Sequence, residues 1–263
     1  GSANAVEVAI DSSGNVFVTG YTTTASTQNA IPVTSGAYDE SRNGALDIYV
    51  AKFSSDLTSL SASTFLGGSG IDIVYSMAID SSDNVYVTGY TGNHDTDLPT
   101  TSGAYNESHN VGVDAFVSKF SSDLASLSAS TFLGGSGDDN AYGIAIDSSG
   151  NVYVSGWTQN SDTDLPVTSG AYDESINSNS AFVSKFSSDL ASLSASTYLD
   201  GPSTFTEAIA FDSSGNVYVT GFTLYDNFPV TSGAYQESRT GAYDAFVSKF
   251  SSDLTSLSES TFL

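Results

Sequence analysis

The segment IAIDSSGNVYVSG, residues 144–156, reads as two short strands around a tight turn. The first, GIAID, passes from small to branched residues and ends at Asp147. Ser148-Ser149-Gly150 with Asn151 makes the turn, Gly and Asn being the residues that tolerate positive φ. The second strand is NVYVSGWT, where Val152 and Val154 point one way and Tyr153 the other. The same text recurs as VAIDSSGNVFVTG at 8–20, MAIDSSDNVYVTG at 77–89 and IAFDSSGNVYVTG at 209–221. Asp11, Asp80, Asp147 and Asp212 are spaced 69, 67 and 65 residues apart, so the chain is four copies of one unit.

Two further anchors repeat with it. PVTSGAYDES at 32–41 returns from Pro99, Pro166 and Pro229, and SKFSSDLASLSAST at 118–131 returns letter for letter at 184–197. The latter reads as strands three and four, AFVSKFSSD and SLSASTYL in the third unit, joined by a Ser-Ser-Asp turn. Strands one–two and three–four are hairpins. A loop of about twenty residues separates strands two and three, a length that in compact domains is usually functional or a packed insertion. No i, i+3, i+4 stripe supports a helical solenoid. The expectation is all-β: a β-propeller of four four-stranded antiparallel blades, one per repeat of about 65 residues. It is a single domain over 1–263, with blades at about 5–68, 72–135, 139–201 and 204–263, and Gly1-Ser2 reads as a tag remnant.

GIAID-turn-NVYV, the loop with LPVTSGAY, DAFVSKF and STFLGGSGDD together resemble the bacterial SBBP repeat, and the first hairpin also resembles the NHL repeat. The resemblance implies a β-propeller and a bacterial extracellular or cell-surface setting, with no settled activity. Four units leave three arrangements open: a ring closing on itself, part of a longer array, or one ring shared by two chains as a homodimer.

Thirty acidic residues against six basic ones give a net charge of −24. That field excludes nucleic acid as a partner and disfavours an anionic membrane surface. No apolar run approaches the roughly 20 residues of a membrane-spanning helix. Cysteine is absent, so thiolate metal sites and a Cys nucleophile are excluded.

Propeller topology places the long two–three loops and the four–one crossovers on one face. Their divergent text makes that face the place for specificity. Carboxylates gather there: Asp95, Asp97, Asp162 and Asp164 in D-T-D-L-P, with Asp72, Asp138, Asp139 and Glu207 in the crossovers. Such an oxygen set would take Ca²⁺, and a turn-capping role competes with that reading for each Asp. No cofactor is required by the pattern. His94, Trp157 and the four loop carboxylates are the ligand-binding candidates, whereas recurrent groups (the four strand-three lysines and the SGAY tyrosines) belong to architecture. Those tyrosines are expected to pin each long loop back onto its own blade. No catalytic residue is assigned. The functional expectation is a non-enzymatic extracellular binding or scaffold module, within a larger surface or adhesin-like protein, for a protein or glycan ligand. The alternative is a propeller enzyme of polysaccharide lyase or Ca²⁺-dependent phosphatase type on the same face.

Overall fold

Each repeat's alternating text folds into one antiparallel sheet whose strands lie in chain order. The computed structural model describes residues 2–23, 31–92, 97–159, 165–176, 179–199, 201 and 203–263. The first blade comprises β1 (Ala3–Ile10), β2 (Val16–Thr23), β3 (Leu46–Phe53) and β4 (Leu60–Leu66); the second β5 (Asp72–Ile79), β6 (Val85–Thr91), β7 (Asp114–Phe120) and β8 (Leu127–Leu133). The third comprises β9 (Asp139–Ile146), β10 (Val152–Thr158), β11 (Ser180–Phe186) and β12 (Leu193–Leu199). The fourth comprises β13 (Thr204–Phe211), β14 (Val217–Thr223), β15 (Asp244–Phe250) and β16 (Leu257–Phe262).

The first turn forms as its residues dictate. Asp147 Oδ1 accepts the N–H groups of Ser149 (2.9 Å) and Asn151 (2.8 Å), and Gly150 takes φ 83°. The second blade has Asp83 at the glycine position, with φ 62°. Its carboxylate accepts the Ser12 N–H (2.9 Å) and hydroxyl (2.7 Å) of the first blade, an inter-blade bond that glycine could not make. Strands three and four are tied by a buried hydroxyl pair: Ser118–Ser130, Ser184–Ser196 and Ser248–Ser260, each 2.8 Å Oγ to Oγ.

A four-stranded sheet has two faces, and here each inner face is closed by the adjacent blade. Phe17, Ile48 and Val50 of the first blade pack with Met77, Val85 and Val87 of the second. Tyr86, Ala115 and Val117 meet Ile144, Val152 and Val154, and Tyr153, Ala181 and Val183 meet Val217, Val219 and Phe246. Each Val, Ile, Met or Phe among them contributes roughly 1.5–3 kcal/mol on full burial. The first strands pack in succession, β1 on β5, β5 on β9 and β9 on β13, so they are innermost and curve about one axis. Among the described residues, no comparable packing joins β13 to β1. The four blades form an open arc, and ring closure is not seen among the described residues.

The long loop holds the joint between blades. Phe65 N–H donates to the Asp39 carbonyl at 3.0 Å, which fastens the loop to its own outer strand. Tyr38 then reaches forward: its N–H donates to Leu124 of the next blade at 2.9 Å, and its ring meets Phe120 edge-on at 5.8 Å. Tyr105 does the same to Leu190 and Phe186, and Tyr172 to Leu254 and Phe250. The SGAY tyrosine therefore hooks the following blade, which corrects the expectation that it returns to its own. The hook's recurrence marks architecture, but its partner lies too far along the chain for local pattern to reveal.

The lysines reinforce the joint. Lys52, Lys119 and Lys185 each donate to a carbonyl in the next blade's Ser-Ser-Asp turn: Ser122 (3.1 Å), Ser188 (3.3 Å) and Ser252 (3.3 Å). Each ammonium also lies over an aromatic ring of its own sheet, 4.8 Å from Phe17, 4.9 Å from Tyr86 and 5.0 Å from Tyr153.

One tie between strands three and four is missing in the first blade. Ala51 stands opposite Ser63 where the other blades pair two serines, and the buried Ser63 Oγ has no partner among the described residues. Ala51→Ser is expected to complete the pair and raise stability by about 1 kcal/mol, about 2–4 °C in Tm, by differential scanning calorimetry. The same substitution in reverse, Ser184→Ala, should lower Tm by at least as much.

Candidate functional site

A β-bulge in every first strand shapes the inner end of the long-loop face. Val6, Tyr75, Tyr142 and Glu207 are the extra residues, skipped in the pairing with the second strand. Opposite each bulge lies a glycine that the close approach requires. A Cβ on Gly89 would stand 1.9 Å from the Ile73 carbonyl oxygen, and one on Gly156 2.0 Å from that of Asn140. The paired strands thus come together without a side chain between them, and the bulge residue is freed from the ladder.

Aromatic rings fill this inner end. Tyr75 lies 4.8 Å from Tyr142 and 5.7 Å from Tyr90, ring centre to centre. Farther along the arc Trp157 stacks on Phe205 at 5.5 Å and 10°, and Phe205 stacks on Phe222 at 4.9 Å and 18°. Tyr243 closes the row edge-on to Phe222 at 5.9 Å. Tyr90, Trp157 and Phe222 occupy the same register in successive second strands, just before the divergent loops. The rings are half-buried, apart from the exposed Tyr243, and the Trp157 indole N–H is buried without an acceptor among the described residues. Burial raises the phenol of Tyr75, and the neighbouring Tyr142, Tyr90, Tyr21 and Glu207 push it further the same way. Tyr142 is raised for the same reasons, burial first and then Glu207 and Tyr90. The belt offers flat apolar faces, hydroxyl donors and the Glu207 acceptor.

The carboxylates are arranged differently. Asp72 and Asp139 are fully buried at the joints rather than displayed on the face, and their Oδ2 atoms accept the N–H of Gly68 (2.8 Å) and Gly135 (3.0 Å). Each faces a second buried aspartate across one glycine. A Cβ on Gly67 would lie 2.9 Å from Asp72 Oδ2 and 3.2 Å from Asp47 Cγ, and one on Gly134 would touch both Asp114 and Asp139. Asp97 Oδ1 accepts the N–H and hydroxyl of Ser69 (2.9 and 3.0 Å), tying a long loop to a crossover, and Asp138 Oδ1 accepts the Val113 N–H at 3.1 Å. His94, Asp95, Asp162 and Asp164 lie outside the described residues. Among the described residues, no group of three or more His, Asp or Glu is placed to hold a metal ion.

Asp47, Asp114 and Asp244 at the start of strand three were not singled out from the sequence, although a signal was present. A basic residue stands five positions before each: Arg42, His109 and Arg239. In the third blade both are replaced together, by Ile176 and Ser180. In the fourth blade the pair is in contact, Arg239 Nε donating to Asp244 Oδ2 at 3.3 Å. Burial raises Asp244, but the N–H groups of Gly241 and Thr240 and the guanidinium outweigh it and leave the carboxyl below its usual range. Asp47 is raised, because burial exceeds the help from the Asn43 and Gly44 N–H groups and from Arg42. The His109 side chain is buried, 4.0 Å from Asp114 and edge-on to Phe132.

Four antiparallel blades, packed inner strand to inner strand along an arc, define a tandem-blade β-propeller protein. The SBBP model, a β-propeller repeat, matches residues 2–25, 63–95, 130–162 and 196–229, and the chain belongs to the SBBP β-propeller repeat family. No curated protein matches it.

The raised phenols carry a pH signature. A tyrosine whose folded pKa lies above its unfolded value of about 10 favours the folded state below pH 10, and loses that contribution as pH rises through the folded value. The check is an alkaline titration of phenolate absorbance at 295 nm. The buried set should ionise in a late step that coincides with loss of the sheet's circular dichroism.

Proposed function

We propose that this chain is a non-enzymatic binding and scaffold module of a bacterial extracellular or cell-surface, adhesin-like protein, and that its ligand is a glycan. The observation that carries this reading is the stack Trp157–Phe205–Phe222, set beside tyrosine hydroxyls on the face with divergent loops. Sugar rings present an apolar face and a rim of hydroxyls, the complement of such a belt. The charge of −24 selects against polyanionic chains, so the glycan is neutral. The recurrent lysines, tyrosines and aspartates are engaged in joints and turns, which leaves recognition to the aromatic belt and the loops around it. Asp72, Asp97, Asp138 and Asp139 accept backbone N–H groups, and no cofactor is part of this reading.

Trp157 is the sole tryptophan and reports on the belt directly. Titration with neutral oligosaccharides should change its emission saturably and with little dependence on salt. Phe205→Leu should weaken binding about tenfold, the equivalent of roughly 1.4 kcal/mol for one lost stacking partner. Release of new reducing ends or unsaturated products would instead establish the enzyme reading, and an unresponsive Trp157 would remove the glycan.

The metal question has a separate measurement. Tm in chelator and in millimolar Ca²⁺ should agree within about 1 °C, since a ligand at 100 times its Kd would add about 2.7 kcal/mol. A Ca²⁺-specific rise of several degrees would make the loop and crossover carboxylates a cation site.

A further inference from the structure

The three joints are built from the same parts, and the two ends of the arc carry the two halves of a fourth. At the trailing end, Tyr235 occupies the hook position of Tyr38, Tyr105 and Tyr172, yet it is 87% exposed. At the leading end, Leu57 occupies the socket position of Leu124, Leu190 and Leu254, which are fully buried, and is itself 64% exposed. Val8, in register with Met77 and Ile144 of the inner joints, is 61% exposed.

The socket is preformed. Leu57 holds φ 58°, the same left-handed turn as Leu124 (57°), Leu190 (56°) and Leu254 (59°). A leucine in that conformation is strained, and inside the arc the strain is offset by burial under the hook. Leu57 carries the strain without the cover. The polar parts match as well. Lys249 sits over Tyr218 at 5.5 Å, as the other lysines sit over their rings, so its ammonium is placed to reach a Ser-Ser-Asp turn such as Ser54-Ser55-Asp56. One position departs: Glu259 replaces Ala62, Ala129 and Ala195, but it stands directly opposite Lys249, which meets its charge within the sheet.

We propose that the trailing face of the fourth blade docks on the leading face of the first blade of a second copy of this chain. The reciprocal contact completes a two-fold ring of eight blades. The occupant is a second copy because the uncovered socket and the uncovered hook belong to the same chain and continue the inner joints part for part. A head-to-tail contact of this kind ends in a ring only when the rotation closes, and two equal arcs satisfy this with one symmetry axis.

The test uses the 263-residue chain. Sedimentation equilibrium is expected to give twice the 27.2 kDa chain mass, with pairing strengthened by salt because each chain carries −24. Tyr235→Asp and Leu57→Asp change exposed side chains, so each monomer should keep its Tm at low concentration. Each is expected to weaken pairing at least 100-fold. Each homodimer of a variant has both joints damaged, whereas a mixture of the two variants restores one joint, from the intact hook of one to the intact socket of the other. Fluorescence transfer between labelled variants should therefore show pairing in the mixture at concentrations where neither pairs alone. A monomer at all concentrations, an open ladder of masses, or a pair indifferent to both substitutions would overturn the proposal.

Discussion

A sheet of four strands, each only six to eight residues long, has two apolar faces and no interior of its own. Every blade here is therefore stable only on condition that a neighbour covers it, and the joint is the unit on which the structure depends. The joint combines non-directional burial with three directional contacts: a tyrosine hook, a lysine that reaches a turn carbonyl, and an aromatic ring beneath the lysine. Burial alone would let one blade slide on the next. The hook and the lysine both address the same Ser-Ser-Asp-Leu turn, which fixes the register of adjacent sheets. As in other repeat proteins, stability is then close to a sum of blades and nearest-neighbour terms.

Strand positions were legible because their period is local: Val152, Tyr153 and Val154 declare a strand within three residues. The turn was legible for the same reason, since Asp147 and Gly150 act within four. The joints were not. Tyr105 and Leu190 are 85 positions apart, and nothing in the text SGAY names its partner. Repetition hid this further, because a contact to the next blade and a contact to the same blade recur with the same period. The glycines of the VTG and VSG motifs were visible but their use was not. Only the paired backbone shows that Gly89 and Gly156 admit a bulge, and that the bulge releases Tyr75 and Tyr142 toward the axis. Trp157 was singled out, but the parallel stack that gives it meaning involves Phe205 of the next blade.

The charge is distributed by the same logic. Acidic side chains that recur are mostly drawn into turns, where backbone N–H groups satisfy them, and the buried aspartates at the joints face one another across a glycine. Arg42, His109 and Arg239 accompany the strand-three aspartates and vanish where the aspartate vanishes, a compensation made inside one chain. The remaining negative charge stays at the surface and sets a field that neutral partners do not feel.

The family's repeat and the structural blade are out of phase. Three of the four matched segments begin in the outer strand of one blade, cross to the innermost strand of the next, and end beyond its second strand. What the matched text carries is the passage from one blade to the next, while the hook, the lysine and the socket lie in the text between the matched segments. A gain or loss of one whole repeat of 65–69 residues would carry one hook, one lysine and one socket together and leave every remaining joint intact, so blades can be added or removed one at a time. The regularity of the arc is in this sense inherited from the joint, and the count of blades is free to vary.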